Sequence, residues 1–250
     1  MSNLLSTWSR NIQFVPPLYV LSEDKRSGGD IATPVCKDNP IIDLSQLAGP
    51  GRIQIVQQIT KASMDLGMFQ VINHGVAEEL MDDTMNLFKE FLNMLAEDHA
   101  IYSKDETKSF GLSTSSRKGV NVWRDSVKHI CEPNLEANIQ SWPEKPMRYR
   151  EVVRAYSVEV KGLSLRILDT ICEGLGIPLG YFGIPLGYFG DKLSQFQELV
   201  VNNYPPCPVP SLVLGAGAHT DASLLTLLQQ QQNVYGLQVY KSGQWLGVEV

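Results

Sequence analysis

His219 and Asp221 are the residues of this chain whose types and spacing point most clearly to chemistry. Side chains two positions apart on a β-strand point to the same face, so both residues could bind one metal ion. A histidine and a carboxylate are two of the three ligands in the 2-His-1-carboxylate set that binds non-haem Fe(II) and leaves coordination positions open. The third ligand would be a later histidine, but none follows His219. The sequence therefore predicts iron chemistry with one protein ligand missing.

The triplet His219-Thr220-Asp221 alone is weak evidence for a metal site, because an isolated histidine is more often a surface or core residue than a ligand. Its flanks make it more specific. An Asn-Asn-Tyr-Pro-Pro stretch lies upstream, a run of glycine and alanine directly precedes His219, and two apolar segments follow Asp221. Two further motifs lie in the N-terminal half. These segments are residues 202–208, 215–218, 224–229 and 234–239, with 40–44 and 67–76 near the N-terminus.

In this order the segments resemble the plant soluble 2-oxoglutarate- and Fe(II)-dependent dioxygenases. Residues 141–146, 156–160 and 171–176 resemble the hyoscyamine hydroxylase-like branch of that family. The resemblance covers nearly the whole chain from about Pro40 onward. It implies an enzyme that uses Fe(II), O2 and 2-oxoglutarate to hydroxylate or otherwise oxidise a small plant specialised metabolite, giving succinate and CO2.

The resemblance also implies roles for individual residues. His219 and Asp221 would bind the metal, while Thr220 between them would be structural. Asn202 and Tyr204 would bind the co-substrate 2-oxoglutarate, with the tyrosine hydroxyl donating to a carboxylate. From the residues alone, a Tyr204 that packs in the core with a capped hydroxyl is an equal alternative. Ascorbate is a further candidate cofactor.

Three elements of the family pattern are missing from the sequence: the second histidine ligand, an Arg-x-Ser pair that binds the far carboxylate of 2-oxoglutarate, and the closing strands of the domain. We therefore expect a C-terminally truncated chain that is inactive alone. The alternative is a non-catalytic remnant, or a binding protein without turnover.

The other three histidines are weaker candidates. His74 is the first alternative for a third ligand, but in the family its motif belongs to the N-terminal packing region. His99 and His129 lie in poorly patterned segments and are expected at the surface. The stretch Trp123 to Asp125 resembles a family segment near the substrate pocket, although adjacent arginine and aspartate in a loop usually form a solvated pair.

Bulk composition excludes several classes of function. The chain has 250 residues, 43% of them hydrophobic, and a net charge of −6 without a basic block, which argues against nucleic-acid binding. No apolar run reaches the roughly 18 residues of a membrane span, and the N-terminus lacks a signal-peptide pattern. The four cysteines are scattered, which favours a reducing compartment and a cytoplasmic location. The expected partners are a small-molecule substrate and O2, with no nucleic acid and no membrane, and a complete protein would be a monomer.

The predicted helices and strands that position the candidate site residues indicate an α+β fold. We predict an incomplete double-stranded β-helix, or jelly roll, preceded by an α/β N-terminal region with a long helix. The predicted parts are a mobile N-terminal arm (1–37), an N-terminal dioxygenase region (38–145), a long helix and duplicated loop (146–194) and a partial Fe(II)/2-oxoglutarate dioxygenase domain (195–250). The predicted elements are strands at 40–44 and 69–72, helices at 52–66, 78–95 and 149–175, a loop at 103–121, and short strands from about residue 195.

One internal repeat is present. Residues 183–189 copy residues 176–182 without change. Seven residues are too few for a solenoid unit, so we interpret the repeat as a local duplication in a loop, where an insertion is tolerated. No functional role is assigned to it.

Overall fold

The computed structural model describes residues 4–23, 34–94, 96–99, 102, 109–117, 120–177, 196–232, 234 and 236–249. The second copy of the repeat and most of the first lie outside these residues. The described elements in chain order are α1 (Leu5–Trp8), β1 (Ile41–Asp43), α2 (Arg52–Asp65), β2 (Gln70–Ile72), α3 (Glu78–Leu92), α4 (Ala96–His99), β3 (Phe110–Arg117), β4 (Val120–Glu132), α5 (Leu135–Asn138), α6 (Tyr149–Gly174), β5 (Gln197–Asn203), β6 (Gln238–Lys241) and β7 (Gln244–Gly247).

The periodic segments fold as their sequences predict. The strands at β1 and β2 and the helices α2, α3 and α6 are confirmed to within a few residues. The prediction of a loop over 103–121 is wrong for its described part. Residues 110–117 form β3, which pairs antiparallel with β4. Threonine favours strands. The long strand β4 supplies the backbone pairing, which the composition of the Ser- and Thr-rich segment does not reveal.

The chain divides into two compact units. The first contains residues 79–157 and 196–222 together with the N-terminal residues to 30, and the second contains 31–78, 158–195 and 223–250. In the first unit β3, β4 and β5 form an antiparallel sheet in that order. Asp125 of β4 is the partner of Asn203 at the end of β5.

The core of the first unit is aromatic. Helix α3 buries Thr84, Phe88, Phe91 and Leu92, a spacing that places them on one helical face. That face packs on apolar residues of the sheet and of the start of α6. The buried cluster is Leu4, Phe88, Phe91, Leu92, Phe110, Leu112, Val127, Cys131, Ile139, Trp142, Tyr149 and Val153.

The N-terminal residues 4–23 differ from the mobile arm predicted for 1–37. Leu5 is fully buried, and the backbone N–H groups of Leu5 and Ser6 donate to the Asp125 carboxylate over 2.6 and 2.8 Å. These are amides of the first turn of α1, which have no partner within the helix, so the buried carboxylate satisfies them. The segment is thus attached to β4 by charge-assisted hydrogen bonds.

The second unit contains a parallel pair and a hairpin. Strands β1 and β2 pair in parallel, and β6 and β7 pair antiparallel. Helix α2 packs on the end of α6 at Gly174, where an added Cβ would lie 1.8 Å from the Thr60 hydroxyl oxygen. Glycine is therefore required at this helix end by close approach.

His99 and His129 correct the prediction that both lie at the surface, because each is fully buried. The His99 Nε2 atom lies 2.8 Å from the Phe91 carbonyl oxygen. The His129 Nε2 atom lies 2.9 Å from the Tyr149 hydroxyl, and its ring packs among Phe110, Trp142 and Tyr149. Each ring thus has a hydrogen-bond partner and aromatic neighbours inside the core.

We expect His129 to make the stability of the fold depend on pH. Burial lowers its pKa from 6.5 to about 3. Below pH 6.5 the unfolded chain takes up a proton that the folded chain does not, so stability falls as pH falls, by about 1.4 kcal/mol per pH unit down to the folded pKa. Urea unfolding at pH 7, 6 and 5 measures this slope. His129→Phe, which keeps an aromatic ring, should lower the slope by about that amount. An equal slope in both proteins would contradict the assignment.

Candidate functional site

The end of β5 carries two of the predicted site residues. Exposure alternates along β5, with Asn202 on the exposed face. Tyr204 follows the last strand residue and is 52% exposed. Two-residue alternation therefore places Asn202 and Tyr204 on the same, accessible side of the chain, and Tyr204 is not a core tyrosine.

Asn202 is oriented by its neighbour on β4. The Ser126 hydroxyl donates to Asn202 Oδ1 over 2.9 Å, and the two residues are register partners. An amide whose oxygen accepts from the sheet has its NH2 group left as the donor toward solvent or a ligand. The side chain can thus present a donor on the exposed face of β5.

Tyr204 is oriented by Gly215. An added Cβ at Gly215 would lie 2.8 Å from Tyr204 Cδ1 and 2.9 Å from Cε1. Any side chain at this position would displace the ring. The first glycine of the small-residue run before His219 is therefore the surface on which the Tyr204 ring rests.

His219 and Asp221 lie outside the strands that the structure describes, so the prediction that they alternate on one strand is wrong in its backbone. The two side chains are nevertheless brought together. His219 Nε2 and Asp221 Oδ1 are 3.3 Å apart, with side-chain exposures of 58% and 48%. Thr220, predicted to be structural, is exposed.

The orientation of the imidazole follows from one hydrogen bond. His219 Nδ1 lies 2.7 Å from the Gly217 carbonyl oxygen, and a carbonyl can only accept, so Nδ1 must carry the proton. In the neutral ring this leaves a lone pair on Nε2, the nitrogen that faces Asp221. A backbone carbonyl that fixes the tautomer of a histidine is the usual outer partner of a metal-binding imidazole.

These two donor atoms suit a shared cation. In the tautomer that donates through Nδ1, Nε2 and the carboxylate oxygen both offer lone pairs, and a cation between them would accept from both. Two ligands that bind one divalent ion at about 2.1 Å and at right angles are about 3 Å apart. The observed distance and the nitrogen–oxygen donor set therefore fit Fe(II).

A third protein ligand is not found in the part of the chain that the structure describes, where no group of three or more His, Cys, Asp or Glu residues is arranged to hold a metal. His74, the alternative third ligand, belongs to the second unit. Its Nδ1 accepts a hydrogen bond from the Val76 N–H over 3.2 Å, and its carbonyl accepts one from Arg166. These contacts give it a role in the turn after β2.

Asp125 corrects the expectation of a solvated Arg–Asp pair, because its carboxylate is fully buried. It accepts from the N-terminal turn described above and from the Thr114 hydroxyl over 3.0 Å. Trp123 is also buried, and its indole N–H donates to the Pro205 carbonyl over 2.9 Å. This stretch of β4 thus contacts the segment that follows Tyr204.

Sequence reasoning missed Ser126, Gly215 and the Gly217 carbonyl. The run of small residues before His219 was a visible signal, since glycine often marks a close approach of the backbone to a neighbouring group. The Ser126 contact had no local signal, because it depends on the register of β4 and β5.

Comparisons with known proteins place two family models on the chain. Residues 40–147 match the N-terminal region of the non-haem dioxygenase in morphine synthesis, and residues 196–250 match the 2OG-Fe(II) oxygenase superfamily. The second match contains His219, Asp221, Asn202 and Tyr204. The whole of α6 lies between the two matches.

Individual relatives agree with these matches. Hyoscyamine 6-dioxygenase of Hyoscyamus niger is 43% identical over the whole of this chain and 72% of its own length. Protein DOWNY MILDEW RESISTANCE 6 of Arabidopsis thaliana is 40% identical over 85% of this chain and 60% of its own length. The chain thus spans between three fifths and three quarters of these two relatives.

A solved structure matches the fold. The crystal structure of JOX2 in complex with 2OG, Fe and JA superposes with a TM-score of 0.83 and 31% identity, covering 98% of this chain and 69% of the other. This likeness confirms the prediction of an α+β fold of the jelly-roll class. Among the described residues, no helix has the length and apolar character needed to cross a membrane.

Proposed function

Because this chain belongs to the plant 2-oxoglutarate- and Fe(II)-dependent dioxygenases, we propose that it is the metal-binding part of an enzyme that oxidises a small plant specialised metabolite. The observation that carries the proposal is the His219 imidazole, fixed by Gly217 so that Nε2 faces Asp221 Oδ1 at 3.3 Å. When bound, Fe(II) and 2-oxoglutarate supply the oxidising chemistry, in which O2 is consumed and succinate and CO2 are released.

The residues of the chain have binding and orienting roles in this proposal. His219 Nε2 and Asp221 Oδ1 would hold the ion, and two protein ligands would leave coordination positions open. The Gly217 carbonyl holds the imidazole in the metal-binding tautomer. The negative charge of Asp221 offsets part of the charge of the ion.

Asn202 and Tyr204 are proposed to bind 2-oxoglutarate. Both lie on the accessible side of the β5 end, and each is oriented by a neighbour, Ser126 and Gly215 respectively. A tyrosine hydroxyl and an amide NH2 are donors, and a dicarboxylate offers only acceptors. Charge-assisted hydrogen bonds to carboxylates are the stronger class, so two oriented donors give both affinity and direction.

The substrate class follows from the relatives. Hyoscyamine is the first substrate to assay, because a relative at 43% identity carries that name. A flavanone is the second, because Flavanone 3-dioxygenase 2 of Oryza sativa subsp. japonica is 36% identical over 94% of this chain. We further propose a cytoplasmic location, since all four cysteines are free thiols and a reducing compartment preserves them. A monomeric state of the complete protein is a separate part of the proposal.

The test uses a fusion of this chain to the C-terminal part of hyoscyamine 6-dioxygenase that follows the matched region. With Fe(II), O2 and 2-oxoglutarate, the fusion should release succinate in step with oxidation of one of the two substrates. The matched control is the same reaction with the metal removed by a chelator. Succinate release no greater than in this control would contradict the proposal and favour a binding protein without turnover.

Tyr204→Phe should mainly weaken the use of 2-oxoglutarate by the fusion. The change deletes one hydroxyl donor worth about 0.5–1.5 kcal/mol, so the apparent KM for 2-oxoglutarate should rise about two- to tenfold with little change in kcat. Tyr240→Phe, which removes the hydroxyl of an exposed tyrosine on β6, is the matched control and should leave this KM unchanged. Equal effects of the two substitutions would refute the role of Tyr204.

A further inference from the structure

Trp123 makes two hydrogen bonds to one segment of the chain. Its indole N–H donates to the Pro205 carbonyl over 2.9 Å, and its backbone N–H donates to the Leu214 carbonyl over 2.8 Å. Pro205 directly follows Tyr204, and Leu214 directly precedes Gly215, the residue against which the Tyr204 ring lies. Both ends of the segment 205–214 are therefore fixed to a single residue of β4.

The segment contains a short 3-10 turn, in which the N–H groups of Leu212 and Val213 donate to the carbonyls of Val209 and Pro210, but it forms no strand pairing with the described strands. Positions 205, 206, 208 and 210 are prolines, which have no N–H and cannot donate to a ladder. Strand β5 separates from β4 after the pair of Asp125 with Asn203, so the sheet does not continue into the segment. The two hydrogen bonds from Trp123 thus connect the segment to β4 beyond the last paired residue of β5.

Trp123 itself is held from its other side. The residue is 3% exposed, and its ring meets those of Trp8 and Tyr19 edge to face, with centroids 6.2 and 5.2 Å away. The Leu21 N–H, further along the same N-terminal segment, donates to the Leu212 carbonyl over 2.9 Å. The indole cannot rotate without disturbing this packed cluster.

We propose that Trp123 is a positioning residue for Tyr204. Its indole N–H fixes the chain directly after Tyr204, and its backbone N–H fixes the chain directly before Gly215. Together they set the ring of Tyr204 on Gly215 and aim its hydroxyl. The role in ligand binding rests on the proposed function, in which Tyr204 binds 2-oxoglutarate. The two hydrogen bonds of Trp123 and the contact of Tyr204 with Gly215 are present without a ligand.

The test compares two tryptophan variants of the 250-residue chain. Trp123→Phe removes the indole N–H that bonds Pro205 and leaves the backbone bond to Leu214. Trp142→Phe is the matched control, because Trp142 is fully buried and its indole nitrogen has no hydrogen-bond partner among the described residues. Both variants lose the same part of a buried ring, and only the first loses a hydrogen bond.

The first measurement is amide hydrogen exchange without ligand. In Trp123→Phe, the amides of residues 207–219 should exchange about fivefold faster than in Trp142→Phe, while those of β5 stay unchanged. Equal exchange in the two variants would overturn the proposal. Acceleration that extends equally through β4 and β5 would also overturn it, because Trp123 would then be a core residue only.

The second measurement separates this inference from the proposed function. With Mn(II) present, Trp123→Phe should raise the Kd for 2-oxoglutarate about fivefold and leave the Kd for Mn(II) within about twofold, whereas Trp142→Phe should leave both unchanged. An unchanged 2-oxoglutarate Kd in Trp123→Phe would overturn the proposal. A wild-type chain that binds no 2-oxoglutarate would count against the proposed function, and the exchange result would still decide the role of Trp123.

Discussion

Asp221→Ala should reduce succinate formation by the fusion protein to the level of the metal-free control. Among the described residues, Asp221 is the one negatively charged protein ligand proposed for the ion. Its loss removes both a bond and the charge that holds a divalent cation beside a neutral imidazole. Metal-ion catalysis contributes several kcal/mol, so the expected fall in rate is on the order of 10³-fold or more. Succinate release at saturating Fe(II) and 2-oxoglutarate measures it.

Asp65→Ala is the matched control for this result. Asp65 is an exposed aspartate of α2 that pairs with Lys61 one helical turn earlier. Such surface pairs contribute little to stability, so the control should keep its activity. If Asp221→Ala retained more than a tenth of the activity of the Asp65→Ala control, Asp221 would not be a metal ligand.

His219→Ala should weaken binding of Mn(II) to the 250-residue chain by at least about tenfold, since even outer partners of metal ligands contribute that much. The unmodified chain should itself bind the ion weakly, because affinity follows the number of ligands and two are found in its described part. Calorimetric titration with Mn(II), which stands in for Fe(II) in air, measures both affinities.

His74→Ala provides the control for the metal titration and tests the remaining alternative. His74 Nδ1 already accepts a hydrogen bond from Val76 in the turn after β2, so this variant should bind Mn(II) as the wild type does. A loss of affinity in His74→Ala equal to that in His219→Ala would make His74 the third ligand, and the assignment of its role to the turn would be wrong.

Local sequence patterns predicted the elements well where the pattern and the contacts are both local. The apolar positions of α3 repeat on one helical face, and that face is the buried one. The residue types of His219 and Asp221, together with the motifs on either side, predicted a metal-binding pair. The structure brings the two side chains together, although neither residue lies in a strand. The chemistry of the residues was thus more predictable than the backbone that presents them.

Contacts between distant residues explain the failures. His129 was expected at the surface, but its partners Tyr149 and Leu199 are 20 and 70 residues away along the chain. Asp125 was expected to be solvated, but the amides that it caps are 120 and 119 residues away. A polar group can be buried when distant residues supply its hydrogen-bond partners, and a local sequence pattern does not show whether they do.

If His219 and Asp221 hold the ion to which the co-substrate binds, 2-oxoglutarate binding must depend on that ion. The fusion protein is titrated with 2-oxoglutarate in a calorimeter, with and without Mn(II), and the His219→Ala variant is treated in the same way. We expect binding that requires Mn(II) in the wild type and is lost in His219→Ala, because the co-substrate then has no ion to bind. Equal 2-oxoglutarate affinity with and without Mn(II), or binding that survives His219→Ala, would contradict a metal site at His219 and Asp221.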